Sequence, residues 1–269
     1  MPRAFTRAVS PRLAECQLTH LERVPIDAAR AAIQHSAYEE ALKSAGFAVI
    51  RLPELADDPD AVFVEDTAIL LGDHAIITRP GAASRTGETQ STSDGLKDHF
   101  ELHRVEHGFV DGGDVLRIGP RIYVGRSTRT NSDGIAALSE LARPLGYEVV
   151  EARLRSCLHL KTGATNAGDG VLLYNEAFVD PAQFAAIEPF AVSPDEPAAA
   201  NCVRAGDRII MPTGNPQTVD ALRCKGFHIV EVDVSELQKA ESGVTCMSPH
   251  RRTALAVDGL HSTLVITLP

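Results

Sequence analysis

The chain has 269 residues, of which 44% are hydrophobic and 23% are charged, values that are typical of a globular protein. This length allows one large hydrophobic core or two small ones. The formal net charge is −10, and an acidic chain without a basic cluster is a poor candidate for binding nucleic acid or an anionic membrane. The same charge would suit a cationic ligand.

Targeting and redox features favour the cytoplasm. No apolar run is long enough to span a membrane, and the first residues are not followed by the apolar segment of a secretory signal. The five cysteines are scattered and show no CxxC pairing, a pattern typical of reduced thiols rather than of disulfides or a structural zinc site. We therefore expect a cytoplasmic protein without a metal site.

The first predicted elements are a helix and a strand. Residues 26–46 favour a helix, because Asp27 can cap it, alanines are frequent and Gly46 can end it. Residues 47–52 follow as an apolar strand that stops at Pro53.

From residue 66 onward the chain repeats a strand–turn–strand pattern. Each copy opens with a polar or reactive residue and turns about five residues later, usually at glycine or proline. Helical patterns follow several of the copies. The copies are residues 66–78, 114–125, 165–173, 201–211 and 246–257, and the helical patterns cover residues 128–144, 181–187 and 216–225.

Such repetition predicts an α/β fold closed into a ring of five hairpin-plus-helix units, in one domain that spans residues 1–269. In a ring the equivalent ends of the inner strands converge on one axis, so Asp66, Asp114, Asn201 and Cys246 should lie near one another. The alternative is an open mixed α/β sheet with coincidental hairpins. We favour the ring, because the repeat spans most of the chain.

Two pairs of acidic residues stand among apolar or small residues. Glu65 and Asp66 interrupt residues 62–71, which otherwise have the composition of a buried strand. Unpaired buried carboxylates are costly, so an arginine or a cationic ligand should pair with them, and adjacent side chains in a strand face opposite ways. A second pair, Asp111 and Asp114, flanks two glycines, a string that a plain turn or bulge would also explain.

A cysteine and a histidine are candidates for a nucleophile and a general acid/base. Cys246 lies among small residues, between Gly243 and Ser248, and His159 is flanked by two leucines. If residues 158–160 form a strand, both leucines face the core and His159 points the other way. The plain alternatives are a buried apolar cysteine and a satisfied structural histidine. At one shared cavity, the two residues would instead form a pair for nucleophilic catalysis.

Two loop arginines, Arg85 and Arg129, complete the set of candidates. A guanidinium group pairs with a carboxylate through two parallel hydrogen bonds, so arginines in loops after inner strands would suit the carboxylate of an amino acid. A solvated salt-bridging face explains either arginine equally well when each is considered singly.

Taken together, these segments resemble the dimethylarginine dimethylaminohydrolases, guanidino-modifying enzymes with the five-bladed α/β-propeller, or pentein, fold. The matching segments follow one another in order across nearly the whole chain. They are residues 63–66 (FVED), 78–85 (TRPGAASR), 111–116 (DGGDVL), 129–131 (RTN), 158–161 (LHLK), 200–202 (ANC), 234–237 (VSEL) and 245–246 (TC). Each segment is weak alone, and their joint order and spacing make the match specific.

The resemblance implies a role for each matching residue. Cys246 would be the nucleophile, His159 the general acid/base, and Asp111 the acid beside that histidine, where some bacterial members carry glutamate. The substrate contacts that the resemblance implies are Asp66 for the guanidinium, Arg85 and Arg129 for the α-carboxylate, Leu18 in a lid, Ala240 through its backbone, and Asp60, Phe63 and Glu65.

The reaction that the resemblance implies is the hydrolysis of asymmetric dimethylarginine or monomethylarginine to L-citrulline and dimethylamine or methylamine, through a covalent thiouronium on Cys246. It would require no metal and no organic cofactor, and the partner would be the small-molecule substrate. An arginine deiminase is the nearest alternative, although that family typically has an inserted helical domain. Further alternatives are a non-catalytic propeller that binds arginine-like ligands and an unrelated cysteine amidase. The sequence leaves homo-oligomer formation open.

Overall fold

The strands form five three-stranded sheets within residues 1–251, the part of the chain that the computed structural model describes. Each sheet, here called a blade, has an inner, a middle and an outer strand. In that order, blades one to five are β15 (His250–Arg251), β1 (Arg3–Thr6) and β2 (Ala48–Arg51); β3 (Ala68–Leu71), β4 (His74–Ile77) and β5 (Glu101–Arg104); β6 (Val115–Ile118), β7 (Arg121–Arg126) and β8 (Glu148–Arg153); β9 (Ala164–Gly168), β10 (Val171–Tyr174) and β11 (Glu188–Ala191); and β12 (Val203–Ala205), β13 (Arg208–Pro212) and β14 (His228–Val232).

All five blades share one topology. The inner strand pairs antiparallel with the middle strand, and the middle strand pairs parallel with the outer strand. Parallel neighbours need a crossover connection. Helices supply it in blades one, two, three and five, and two shorter helices lie between blades. In chain order the helices are α1 (Ala28–Ser44), α2 (Glu88–Leu96), α3 (Ser132–Ala142), α4 (Leu160–Gly163), α5 (Pro216–Cys224) and α6 (Ser235–Gln238).

Contacts between blades close the sheets into a ring. The inner strands β6 and β9 contact each other, as do β9 and β12, and β15 contacts β3. The short 3₁₀ turns before β3 and β6 pack together, and α1 packs against β14, which joins the fifth blade to the first. The pairing of β15 with β1 completes the first blade from both ends of the described chain. The five-unit α/β-propeller is therefore confirmed, and the open-sheet alternative is wrong.

The predicted hairpins turn where the sequence places glycine. Gly72 joins β3 to β4 with φ +62°, and Gly206 joins β12 to β13 with φ +61°. Positive φ at the first position of a two-residue loop is typical of the turns whose twist matches antiparallel strands, and glycine adopts it without steric cost. Of the fifth predicted hairpin, residues 246–257, only the part up to Arg251 is described, and residues 252–257 lie outside the described residues.

Most other predicted elements are confirmed. The helix predicted at residues 26–46 is α1, whose first turn is capped by the Asp27 carboxylate, since it accepts the Arg30 N–H at 3.0 Å. Gly46 follows the helix with φ +87°, as the sequence indicated. The strand predicted next is β2, and the helical patterns at residues 128–144 and 216–225 contain α3 and α5.

Three local predictions are wrong. Residues 62–71 are not one strand: Val64–Thr67 form a 3₁₀ turn and β3 begins only at Ala68. The Thr67 hydroxyl stabilises this turn by donating to the Val64 carbonyl at 2.7 Å. Residues 158–160 are not a strand either, because His159 is the extended residue before α4.

The helix predicted at residues 181–187 is also wrong. The crossover of blade four contains only a 3₁₀ turn, Pro181–Gln183, after which Phe184 is extended and buried. Ala186 then adopts φ +59°, a conformation that no right-handed helix contains.

Hydrophobic clusters fill the spaces between blades and under the crossover helices. One cluster joins α1 to blades one and five and also contacts Cys246, whose side chain is half-buried. None of the helices in the described part of the chain has the length and apolarity that a bilayer crossing requires.

Candidate active site

One cavity, lined by segments that precede the inner strands β3, β9 and β15, gathers most of the predicted site residues. It contains both catalytic candidates, Cys246 and His159, together with Asp66. The other predicted residues that line it are Asp60, Phe63, Arg85, Arg129 and Ala240. Of the predicted set, Leu18, Glu65 and Asp111 are not among the described residues that line this cavity.

Cys246 lies in the loop between α6 and β15. Its backbone carbonyl accepts a hydrogen bond from the Glu65 N–H at 3.1 Å, which ties this loop to the turn before β3. The Gly243 N–H is directed at the sulfur, with a nitrogen–sulfur distance of 3.4 Å. A backbone N–H that donates to sulfur favours the thiolate over the thiol, so this contact suits a nucleophile.

His159 is 5% exposed and is held by carboxylates. Its Nε2 lies 3.1 Å from Asp111 Oδ2, and its Nδ1 lies 4.0 Å from Asp66 Oδ1. Asp111 is itself fixed, because its Oδ1 accepts the Gly81 N–H at 2.9 Å. A carboxylate bonded to one imidazole nitrogen orients the ring and stabilises its protonated form. Asp111 therefore orients His159 and is not among the described residues that line the cavity.

Asp114 fixes the backbone next to the histidine. Its Oδ1 accepts the N–H of Leu160, the first residue of α4, at 2.9 Å, and its Oδ2 accepts the Ser127 hydroxyl at 2.6 Å. Asp114 is fully buried, and burial raises its pKa to about 6 despite the nearby imidazole. The opening of blade three thus holds the residue after His159.

Asp66 and Arg85 form a buried ion pair in the wall of the cavity. Arg85 Nη1 lies 2.5 Å from Asp66 Oδ2, and Asp66 Oδ1 accepts the Gly113 N–H at 3.0 Å. Arg85 also binds both carboxylate oxygens of Glu88, at 3.0 and 2.8 Å. Arg85 is therefore the fixed arginine that the buried acids needed, and carboxylates of the protein itself already hold it.

Glu65 pairs away from the cavity. Its Oε1 accepts a hydrogen bond from Lys161 Nζ at 2.5 Å, and both side chains are largely buried. Burial, opposed in part by Lys161, raises the pKa of Glu65 to about 7. The two neighbouring acids thus have different partners: Asp66 faces the cavity and Glu65 supports the loop that carries Cys246.

Residues 17–21, the segment that contains the predicted lid residue Leu18, are fastened by two acids of the cavity. Asp60 accepts the Gln17 N–H with both carboxylate oxygens at 3.2 Å. Glu241 accepts the backbone N–H groups of the last three residues of the segment. Leu18 itself is half-buried against the hydrophobic cluster of blades one and five.

Arg129 also holds residues 17–21. It is half-buried, and its Nη2 donates to the Thr19 hydroxyl at 3.1 Å. Arg129 and Glu241, which both line the cavity, therefore hold one short segment.

Sequence reasoning missed several residues of the site. Gln17, Leu158, Glu241 and Ser242 line the cavity, and Lys161 and Glu88 pair with predicted site residues. All six lie one to three residues from a predicted site residue, so their position along the chain carried a signal. Their side-chain directions depended on contacts between blades, which the sequence did not show.

The electrostatics of the cavity favour the neutral form of the thiol and the charged form of the imidazole. Burial, reinforced by the charges of Asp66 and Glu65, raises the pKa of Cys246 to about 11. Burial alone would lower the pKa of His159, but Asp66 and two further aspartates outweigh it and raise this pKa to about 9. Near neutral pH the protein without ligand therefore holds a neutral thiol and an imidazolium in one cavity.

We expect the alkylation of Cys246 by iodoacetamide to accelerate about tenfold per pH unit up to about pH 11, because only the thiolate reacts. The measurement is peptide mass spectrometry in a Cys224→Ser background, which removes the one exposed thiol of the described residues. A rate that levels off near the ordinary thiol value of about 8.5 would contradict the raised pKa.

Comparison with known proteins places the chain in a family. A family model described as "N,N dimethylarginine dimethylhydrolase, eukaryotic" matches residues 16–163. The dimethylarginine dimethylaminohydrolase of Streptomyces coelicolor is 39% identical over 253 residues, which are 93% of this chain and 97% of the relative. The chain belongs to the dimethylarginine dimethylaminohydrolase family. The predicted resemblance is thus confirmed.

Solved structures of dimethylarginine dimethylaminohydrolases have the same pentein fold. A cysteine-to-serine variant of the Pseudomonas aeruginosa enzyme, complexed with citrulline, superposes with a TM-score of 0.89 at 34% identity and covers 93% of this chain and 98% of its own. A histidine-to-glycine variant of a dimethylarginine dimethylaminohydrolase, an adduct with S-methyl-L-thiocitrulline, gives a TM-score of 0.88 at 34% identity and covers 93% of this chain and all of its own.

In this member of the dimethylarginine dimethylaminohydrolase family, Gly113 leaves the room that the histidine needs. A Cβ atom at Gly113 would lie 2.6 Å from His159 Nδ1 and 2.8 Å from Asp66 Oδ1. We expect Gly113→Ala to displace the ring and to lower kcat by about 10²- to 10⁴-fold, the usual contribution of a general acid/base. Gly87→Ala is the matched control, because a Cβ there meets no atom within 4 Å. Equal turnover in both variants would contradict the assigned position of His159.

Proposed function

We propose that this protein hydrolyses Nω-methylated arginine to L-citrulline and releases dimethylamine or methylamine. The observation that carries the proposal is a single cavity in which Cys246 and His159 stand beside Asp66, with His159 bonded to Asp111. The relatives support it, because they carry this activity in their names and one is complexed with citrulline. The chain is accordingly a hydrolase of C–N bonds in linear amidines.

Binding is the first step. A guanidinium group is a planar cation, and carboxylates accept its N–H groups in pairs. Asp66 and Asp60 line the cavity and supply negative charge for it. We assign the α-carboxylate of the substrate to the side of Arg129, and the backbone at Ala240 and the side chain of Phe63 to its contacts. The predicted contact of Arg85 with the α-carboxylate is not part of this assignment, because Asp66 and Glu88 already hold Arg85.

Substrate binding activates the nucleophile. The cation adds a positive charge beside the sulfur and lowers the pKa of the thiol from its raised value, so Cys246 releases its proton to water. The thiolate then attacks the central guanidinium carbon and forms a tetrahedral adduct. His159, protonated below about pH 9, donates its proton to the departing amine, and the carbon–nitrogen bond breaks.

The second half of the reaction regenerates the thiol. The first half leaves a covalent S-alkylthiouronium on Cys246 and a neutral His159. His159 accepts a proton from a water molecule as that water attacks the same carbon. The hydroxyl proton of the resulting adduct then passes to the sulfur as the carbon–sulfur bond breaks, which gives citrulline and the thiol. Asp111 keeps the imidazole oriented in both halves, because it holds one ring nitrogen throughout. All of these steps use water and residues of the chain.

The test compares the amines that are released. We expect citrulline from asymmetric dimethylarginine and monomethylarginine to appear in equal amounts with dimethylamine and methylamine. Plain arginine should yield far less citrulline and ammonia. Faster ammonia release from arginine than amine release from both methylated substrates would indicate an arginine deiminase instead. Thiol alkylation that arginine analogues block, without product from any substrate, would indicate a binding protein.

A further inference from the structure

A cluster of two imidazoles and one carboxylate lies on blade two, outside the catalytic cavity. His74 opens β4, and Glu101 and His103 lie two residues apart on the neighbouring strand β5. In the parallel register His74 pairs with Glu101, and Ile76 pairs with His103. Since side chains alternate along a strand, all three polar side chains project from one face of the sheet.

The three side chains already have the spacing of a metal-ligand set. His74 Nδ1 lies 3.1 Å from His103 Nε2, and Glu101 Oε2 lies 3.6 Å from His74 Nδ1. The second carboxylate oxygen, Oε1, lies 4.0 Å from His103 Nε2. A tetrahedral ion with metal–nitrogen and metal–oxygen bonds of about 2.0–2.2 Å separates its ligand atoms by about 3.3–3.6 Å. One ligand atom from each residue lies within 4.8 Å of the other two, so rotations of the side chains would bring all three atoms to one ion.

We propose that His74, Glu101 and His103 bind a divalent transition-metal ion that prefers imidazole, such as Zn²⁺ or Cu²⁺. Two neutral imidazoles and a carboxylate are the donors of many such sites, whereas Mg²⁺ and Ca²⁺ prefer oxygen ligands alone. The imidazoles are 29% and 23% exposed at the side chain and the carboxylate 69%, so an ion can enter from solvent and complete its coordination with water.

The site is distinct from the catalytic cavity. In the described chain, a second group of possible ligands, Asp66, Asp111 and His159, is buried, includes two residues that line the cavity, and contains one imidazole. The cluster on blade two contains two. An ion there would link β4 to β5, the outer strand of the blade, and would stabilise the folded state in proportion to its affinity.

A plain hydrogen bond between the two imidazoles, with Glu101 beside them, is the alternative arrangement at the same distances. The His103→Gln substitution distinguishes a metal site from a plain hydrogen bond between the imidazoles. Glutamine keeps a polar group next to His74, whereas it is a poor ligand for these ions. Outer partners of metal ligands already change affinity about 10- to 100-fold, so we expect the loss of a direct ligand to raise the dissociation constant at least about 100-fold.

The experiment is a titration of the whole chain with Cu²⁺ and with Zn²⁺, using Cys246→Ser protein so that the catalytic thiol does not compete. Electron paramagnetic resonance of the first Cu²⁺ equivalent should show coupling to two imidazole nitrogens, and calorimetry should give one tight Zn²⁺ site. In the His103→Gln variant on this background, the second nitrogen coupling and the tight site should both disappear. In the wild-type background, His103→Gln should leave turnover unchanged.

The matched control is His228→Gln. His228 occupies the outer strand of blade five and lies 3.3 Å from Asp207, so it forms a surface histidine–carboxylate pair that does not belong to either ligand group of the described residues. This variant should keep the two-nitrogen signal. The proposal is overturned if His103→Gln and His228→Gln bind both ions as the parent protein does, or if the parent protein shows coupling to fewer than two nitrogens.

Discussion

The Cys246→Ser variant is expected to show a kcat at least about 10⁴-fold below that of the wild type, because serine is a far weaker nucleophile than a thiolate. The environment that raises the pKa of the thiol to about 11 disfavours an alkoxide as well. Substrate binding should survive, since Asp60, Asp66 and Arg129 are untouched. Citrulline formation under single-turnover conditions and equilibrium binding of dimethylarginine measure the two effects.

The Cys224→Ser variant is the control for this substitution. Cys224 is exposed at the end of α5 and does not line the cavity, so its turnover should equal that of the wild type. Both variants replace sulfur by oxygen, and their unfolding midpoints should remain close to that of the wild type. Turnover by Cys246→Ser at more than a few per cent of the wild-type rate would remove Cys246 from the mechanism.

The His159→Gly variant is expected to lose about 10²- to 10⁴-fold in kcat, because neither the leaving amine nor the attacking water exchanges a proton with a positioned group. The substitution leaves a space beside Asp66 and Asp111, so added imidazole should restore part of the activity. In the wild type, kcat should fall as the pH rises above about 9, because His159 then lacks the proton that the amine needs.

The readouts for His159 separate a chemical role from a structural one. Imidazole should raise turnover by His159→Gly and leave His228→Gly unchanged, since His228 is exposed on blade five. The fall in activity above about pH 9 should be absent from the residual turnover of His159→Gly. An unchanged kcat, or a pH profile identical to that of the wild type, would contradict the assignment.

The blades could be predicted because each hairpin has a local sequence pattern, two short strands joined by a tight turn. Largely apolar strands stand on either side of the two-residue turns that begin at Gly72 and Gly206, and these glycines take the positive φ that a tight turn requires. The closure of the ring was predictable only from the number of repeats. In the structure, Arg3 pairs with Arg251 and Ala4 pairs with His250. These residues are too distant in sequence for any local pattern to reveal their pairing.

The site was predicted less completely than the fold. The sequence identified Asp66 and Arg85 as candidates but did not pair them, because a fixed arginine and a cationic ligand satisfy a buried carboxylate equally well. The partners Lys161 and Glu241 depend on contacts across the ring. His74 and His103 are separated by 29 positions and meet only because β4 and β5 are adjacent, so a search for metal sites by cysteine spacing could not find them.

The measurement that tests the mechanism most directly is rapid quenching of the wild-type protein with asymmetric dimethylarginine, followed by peptide mass spectrometry. The mechanism predicts a transient adduct on the peptide that contains Cys246, with the mass of the substrate less dimethylamine, which decays as citrulline appears. Steady turnover to citrulline without such an adduct, or an adduct on any other residue, would contradict it.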